Sequence, residues 1–205
     1  SISAMLNLNP TNDIYSMTDD MNNNRYEDFE NYVTKYNENL HIISAPKDVR
    51  TANKVDARFI PIIISKASLK YDVILIDTNY FINDINVTVL ENSDEILYVI
   101  TNDAIDLKNM RSMVAIYKDM GVTNYRILLN ESIFKGRHKY SEYDVNRFIK
   151  RDIDYHITDK FHIKDIDNYI YDGKILTMDK KIRNNYKRII SDIKLIADEL
   201  ITNRK

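Results

Sequence analysis

The sequence predicts an α/β domain with a doubly wound, mainly parallel sheet, and three observations lead there. Short apolar runs with polar boundaries recur along the chain: "LHIIS" (40–44), "DVILID" (72–77), "EILYVI" (95–100) and "YRILLN" (125–130). None alternates apolar with polar residues, the pattern of strands covered on both faces. Segments of helical length separate them, so strand, helix and strand follow in turn and right-handed crossovers are expected.

Each element has its own signal. Pro61 suits the first turn of a helix leading to 72–77, where its missing N–H costs little. In "AIDLKNMRSMVAIYKDMG" (104–121), Leu107, Met110, Met113, Val114 and Tyr117 recur at three- and four-residue spacing. That helix should stop at Gly121, a residue suited to a left-handed end. Beyond residue 130, "SEYDVNRFIKR" (141–151) offers a serine cap and apolar Tyr143, Val145 and Phe148 for a short helix. "DYHIT" (154–158) reads as an edge strand. Residues 179–201 read as one closing helix with Ile182, Tyr186, Ile189, Ile190, Ile193, Ile196, Ala197 and Leu200 on one face. Its charges mix both signs, which favours core packing over a membrane surface, so Ile189, Ile193 and Ile196 are expected to be mostly buried. "TDDMNNNRYED" (18–28) reads as a polar loop.

Composition bounds the chemistry. The 205 residues suffice for one domain with a substantial core. With no cysteine there is no disulfide framework, thiolate metal site or cysteine nucleophile. The longest strongly apolar run, "FIPIII" (59–64), is too short to span a bilayer. No charged segment followed by an apolar one opens the chain, so a cytoplasmic setting is expected. Net charge is −2 but uneven: residues 1–130 carry 12 basic and 18 acidic side chains, residues 131–205 carry 17 and 13. The basic excess gathers in "KGRHK" (135–139), "RFIKR" (147–151) and "KKIRNNYKR" (180–188). A nucleic-acid or acidic-lipid surface is the sharper reading, but interleaved acids favour solvated helix faces.

The candidate chemistry centres on Asp77, a carboxylate ending the apolar run 72–77. Such a group is poorly placed unless a cation or hydrogen bonds satisfy it, and the bland alternative is a cap on the following turn through Thr78 or Asn79. A phosphate-binding loop would need glycines, so that consecutive N–H groups can converge on an anion. The chain has three, Gly121, Gly136 and Gly173; none precedes a Lys-Ser or Lys-Thr pair and none lies upstream of Asp77. His41, His138, His156 and His162 lack metal spacing and read as surface or loop residues. Asp152/Asp154 and Asp165/Asp167 read as solvated acids, and the fifteen tyrosines as dispersed rather than a stacking platform.

The order of the remaining segments carries more. "SISAMLNLNPTNDIYSM" (1–17) and "NLHIISAPKD" (39–48) precede "YDVILIDTNYFINDINVTVLENSDEILYVITNDAIDLKNMRSM" (71–113); "YRILLNES" (125–132) and "YIYDGKIL" (169–176) follow. In that order the chain resembles the ParA/MinD superfamily of deviant-Walker P-loop ATPases, most of all the CpaE/TadZ pilus-assembly branch. The resemblance spans 1–205 and is strongest over 71–130. It implies a single ATPase domain whose phosphate loop and first strand would lie upstream of Ser1, with ATP and Mg²⁺ as ligands of the complete protein and weak or no binding by this chain. Asp77 falls on the Walker B aspartate, which orients magnesium through its water shell. Thr78 falls beside it among the nucleotide contacts, and Asn130 falls where the family reads the adenine edge. "TNYF" (78–81) replaces the family's Pro-Pro-Gly switch, which puts hydrolysis in doubt. Thr158 stands for the proline of a late loop. The implied role is a homodimeric switch or scaffold localising a pilus or secretion machine, cytoplasmic and recruited to the inner membrane face or cell pole. The alternatives are a partitioning or positioning ATPase that binds DNA or membrane, and a binding module without nucleotide chemistry.

Overall fold

The structure is a computed structural model that describes residues 2–79, 82–132 and 140–202. "KGRHK" with Gly136 and His138, and Tyr80 and Phe81 of "TNYF", lie outside the described residues. Along the chain come α1 (Ile2–Met5), α2 (Ile14–Asn22), β1 (Thr34–Lys35), β2 (His41–Ile42), α3 (Ile60–Ser68) and α4 (Asp84–Glu91). They are followed by β3 (Ile96–Ile100), α5 (Ala104–Met120), β4 (Tyr125–Asn130), α6 (Glu142–Ile149) and β5 (Tyr155–Ile157). The series closes with α7 (Ile166–Tyr171), α8 (Lys180–Asn185) and α9 (Lys187–Thr202). The chain divides into two compact units, one of residues 1–93 and 165–179, the other of residues 94–164 and 180–205.

The second unit holds the parallel sheet. Its strand order is β3-β4-β5, with Ile96 opposite Tyr125 at one end of the first pair and Asn130 opposite Ile157 at the end of the second. The strands ending at Ile100 and Asn130 therefore lie side by side and parallel, and "DYHIT" supplies the edge strand. Ile127, Leu128 and Leu129 are buried in the central strand, and Leu107, Met110, Val114 and Tyr117 of α5 are buried with them. Asp103 caps α5 by accepting from the Ile105 N–H, and Gly121 ends it at φ +70°. Ser141 and Asp144 form a reciprocal capping box on α6. That helix buries Val145 and Ile149, whereas Tyr143, read as part of its apolar face, is exposed.

Two acids and a tyrosine trio complete this unit. Asp154 is no solvated acid: its Oδ2 accepts from the Ile127 N–H at 2.8 Å, and its own N–H donates to the Ile127 carbonyl. The side chain thus prolongs the β4–β5 pairing one step beyond the strand, and Arg151 joins it at 3.2 Å while lying 4.2 Å from the centre of the Tyr125 ring. Arg151 of the "RFIKR" cluster is a packing cation, not a free surface charge. Tyr98, Tyr117 and Tyr125 pack ring against ring, with the hydroxyls of Tyr98 and Tyr117 2.6 Å apart. Burial drives both hydroxyls above the ordinary phenol range. The dispersed spacing of the tyrosines in sequence hid this cluster.

The closing helix differs from its expectation. It is two helices, α8 and α9, meeting at Tyr186, whose hydroxyl donates to the His162 carbonyl at 3.0 Å and whose ring packs on Phe161. Ile182 is buried, but Ile189, Ile193 and Ile196 are only half-buried and no residue of α9 is fully buried. A helix on one side of a three-stranded sheet finishes against the outer strand and keeps one flank in solvent.

The first unit corrects three expectations. The polar stretch 18–28 begins inside a helix: Asp13 and Ser16 form a capping box, and α2 runs to Asn22 with Met17 and Thr18 buried. Polar composition hid the helix because the cap lies five residues ahead of the stretch. "LHIIS" supplies β2, which pairs antiparallel with β1 rather than joining a parallel sheet. Asn37 makes that hairpin, its Oδ1 accepting from the N–H groups of Asn39 and Leu40 at 2.8 Å. Finally, residues 72–79 lie in no helix and join no ladder among the described residues. Pro61 does occupy the first turn of α3, as its ring geometry favours. Gly173, at φ +66°, brings its backbone so close to Leu6 that an added Cβ would lie 2.5 Å from the Leu6 carbonyl oxygen.

Candidate functional site

In a parallel sheet, ligands meet the chain beyond the carboxyl ends of the strands. In the second unit that rim consists of Asn102 after β3, Asn130 to Ser132 at the end of β4, and Thr158 after β5. Here polar side chains replace the apolar ones that fill the strands. Glu131 is buried; its Oε1 accepts from Asn102 Nδ2 at 2.7 Å and its Oε2 lies 2.8 Å from His156 Nε2. Asn102 Nδ2 also donates to the Tyr140 carbonyl at 2.7 Å, while Asn102 Oδ1 is buried without a hydrogen-bond partner. The other His156 nitrogen stands 3.3 Å from Glu142 of α6. His156 therefore faces a carboxylate through each ring nitrogen. No cluster of described residues has metal-binding geometry.

Asn130 sits half-buried on this rim. Its Oδ1 accepts from the Ser132 N–H at 3.1 Å and from Ser132 Oγ at 2.6 Å. A backbone N–H can only donate, so the amide oxygen must face Ser132 and the NH₂ group must face away. Next in line, His162 Nδ1 lies 3.0 Å from the Ser132 carbonyl oxygen. Sequence reasoning placed His156 and His162 among surface or loop residues. Their roles depend on pairing across β4, β5 and the following loop, which spacing alone does not reveal.

Asp77 and Thr78 belong to the first unit. Both are exposed, at the end of an apolar run in which Leu75 is 85 % exposed. Among the described residues neither side chain makes a capping hydrogen bond, while the Asn79 carbonyl and Oδ1 accept from Asn86 Nδ2 at 3.1 and 2.7 Å. The Asp77 carboxylate is thus open to a hydrated cation, and the Asn130 amide has a donor to offer a base. The two described glycines cradle no anion: Gly121 ends a helix and Gly173 faces the Leu6 carbonyl.

No protein-family model and no curated protein matches the chain. Solved structures do. A ParA family ATPase from Chlorobium tepidum superposes with a TM-score of 0.72 at 18% identity, over 94% of this chain and 76% of that one. The cell division ATPase MinD of Pyrococcus furiosus gives 0.72 at 16% identity, over 96% and 80%. The septum site-determining protein MinD of Pyrococcus horikoshii, complexed with Mg-ADP, gives 0.69 at 18% identity, over 99% and 80%. The likeness is one of fold: this α/β chain, with its parallel β3-β4-β5 sheet and flanking helices, has the architecture of MinD/ParA-like P-loop ATPases. No described helix is long and apolar enough to cross a membrane.

Proposed function

We propose that this chain is the body of a nucleotide-responsive switch of the ParA/MinD type, with ATP and Mg²⁺ as its ligands. The observation that carries the reading is the fold likeness over more than nine-tenths of the chain, together with open polar groups at the two positions where the resemblance places ligand contacts. Asp77 would hold magnesium through its water shell, Thr78 would flank the phosphates, and Asn130 would meet the base. The described residues supply no glycine cradle, so binding is expected to be weak and to rest on the metal and base contacts.

Within that class the role is that of a CpaE/TadZ-like scaffold: a homodimer that positions a pilus or secretion machine from the cytoplasmic side of the membrane. One feature supports scaffolding over rapid turnover, and another over DNA binding. The segment after Asp77 begins "TN" rather than with a flexible Pro-Pro-Gly switch, and the Arg151 cation that could contact DNA is engaged with Asp154 and Tyr125.

Calorimetric titration with Mg-ATP tests the nucleotide reading. Weak, magnesium-dependent heat that Asp77→Ala abolishes supports it; tight binding indifferent to Asp77 overturns it. Retention on DNA that falls steeply with salt would transfer the role to partitioning.

A further inference from the structure

The first unit carries an open hollow of about 330 Å³, at the small end for a ligand site. Three segments line it: Met21 near the end of α2, Asn24 and Tyr26 in the turn that follows, and Phe59, Ile62 and Lys66 at and along α3. Asn24 holds φ +56°, a left-handed conformation that asparagine tolerates. The chain turns there so that the N–H groups of Arg25 and Tyr26 both donate back to the Asp20 carbonyl. Ile62 and Lys66 are four residues apart and so share one face of α3. Met21, Tyr26 and Phe59 also pack against the buried cluster around Met17, Tyr32 and Ile63.

Two properties separate this hollow from ordinary surface. Its aromatic wall is held in place: the Tyr26 ring stacks on Tyr32 at 5.8 Å with the planes 7° apart, and the buried Tyr32 donates to Asp20. A ring already fixed loses little freedom when something lands on it. Its charge is also unanswered. The nearby cations are neutralised: Arg25 by Asp19 and Asp20, Arg58 by Asp56 and Lys70 by Glu30, all at 3.0 Å or less. Lys66 is half-buried, its ammonium 4.8 Å from the centre of the Tyr26 ring, and it has no carboxylate partner among the described residues. Apolar and aromatic side chains beside one unpaired cation complement an apolar group next to an acid.

The depth of the hollow selects the kind of ligand. Ile62 on its wall is 45 % exposed, so a small molecule seated here would keep much of its surface in water, whereas small-ligand sites bury most of theirs. One large side chain of a partner, whose neighbours continue across the surface, suits such a hollow better.

We propose that this hollow docks a partner protein through a peptide segment in which an aromatic side chain is flanked by carboxylates. The aromatic ring seats against Tyr26, Phe59, Met21 and Ile62, and a flanking carboxylate pairs with the Lys66 ammonium. The inference stands apart from the nucleotide reading, because it uses neither Asp77 nor Asn130.

The chain contains no tryptophan, so the fluorescence of a tryptophan-bearing peptide reports binding directly. The 205-residue chain is titrated into two end-capped peptides, Gly-Glu-Trp-Glu-Gly and Gly-Gln-Trp-Gln-Gly. The acidic peptide is expected to bind roughly two- to fivefold more tightly at low salt, a margin that added salt erodes. Lys66→Gln should erase the margin while leaving the glutamine peptide unaffected, and Ile62→Glu, at an exposed position, should abolish binding of both. Equal binding of the two peptides, a margin that survives Lys66→Gln, or no binding of either overturns the proposal. N-acetyltryptophan, which carries a ring and a carboxylate without the flanking chain, should bind more weakly than the acidic peptide. If it binds as tightly, the hollow is a small-molecule site and the docking proposal falls. Sedimentation with phosphatidylglycerol vesicles that Lys66→Gln abolishes, without peptide binding, would assign the hollow to a membrane and overturn it as well.

Discussion

Two runs of similar sequence meet opposite fates. "YRILLN" becomes β4, the centre of a parallel sheet, with Ile127 and Leu129 fully buried. "DVILID" is as apolar and joins no described ladder, and its Leu75 is 85 % exposed. Hydrophobicity makes a segment competent to be a strand, but stability comes from neighbours that satisfy its backbone and cover its faces. β4 has β3 and β5 pairing on its two edges and α5 packed on the sheet; among the described residues, 72–77 has nothing equivalent. The same contrast separates the two candidate ligand groups. Asn130 is held by Ser132 in one orientation, whereas Asp77 is exposed.

Truncating the two runs gives the largest expected difference. Leu129→Ala removes a fully buried side chain from a packed interior and should cost about 2–5 kcal/mol in urea unfolding. Leu75→Ala removes an exposed one and should stay within about 0.5 kcal/mol. A comparable loss at both sites would show that 72–77 is covered in solution, by a second copy or by another segment, and would dissolve the contrast.

A pair of glycines sharpens the same point about neighbours. Gly121 and Gly173 both have positive φ, but an added Cβ meets nothing within 4 Å at Gly121 and the Leu6 carbonyl oxygen at 2.5 Å at Gly173. Gly121→Ala should therefore cost only the left-handed strain, about 1–2 kcal/mol. Gly173→Ala adds a backbone clash and should cost roughly 2–4 kcal/mol. Equal losses in thermal or chemical unfolding would mean that the α1 region moves aside freely.

What the sequence revealed follows the same division. The β3-α5-β4 crossover was legible because its signals are local and agree: apolar runs, a 3.6-residue stripe and a glycine stop. Asn130 was legible as a strand-end polar residue, whereas Asp77 ends an apolar run that joins no ladder among the described residues. The Ser132–His162 contact, the Asp154 extension of β4–β5 and the tyrosine trio were not, because each joins residues that only tertiary pairing brings together. The β1–β2 hairpin was missed for another reason: its turn rests on one side chain, Asn37, and its strands are two residues each, too short for any period to show.

The smallest expected effect is electrostatic and lies in the first unit. Tyr32 donates to Asp20 Oδ2 at 2.8 Å, and Arg25 Nε meets Asp20 Oδ1 at 3.0 Å. The Tyr32 hydroxyl bond, and after it the Arg25 bond, hold the Asp20 carboxyl below its ordinary range. The same contact and burial push the Tyr32 hydroxyl up to about 12, with burial the larger cause. Because Asp20 is more acidic folded than unfolded, its contribution is present above the unfolded pKa, about 3.9. It is lost as pH falls through the lower folded value. Carboxyl-carbon titration should therefore place Asp20 below an ordinary aspartate. Tyr32→Phe should raise its midpoint most, Arg25→Gln less, and either change should flatten the loss of stability below about pH 4. If Arg25→Gln moves the midpoint further than Tyr32→Phe, the ion pair and not the buried hydroxyl dominates. Asp20 would then resemble Asp77, a solvent-facing acid, more than Asn130, a group oriented by its neighbour.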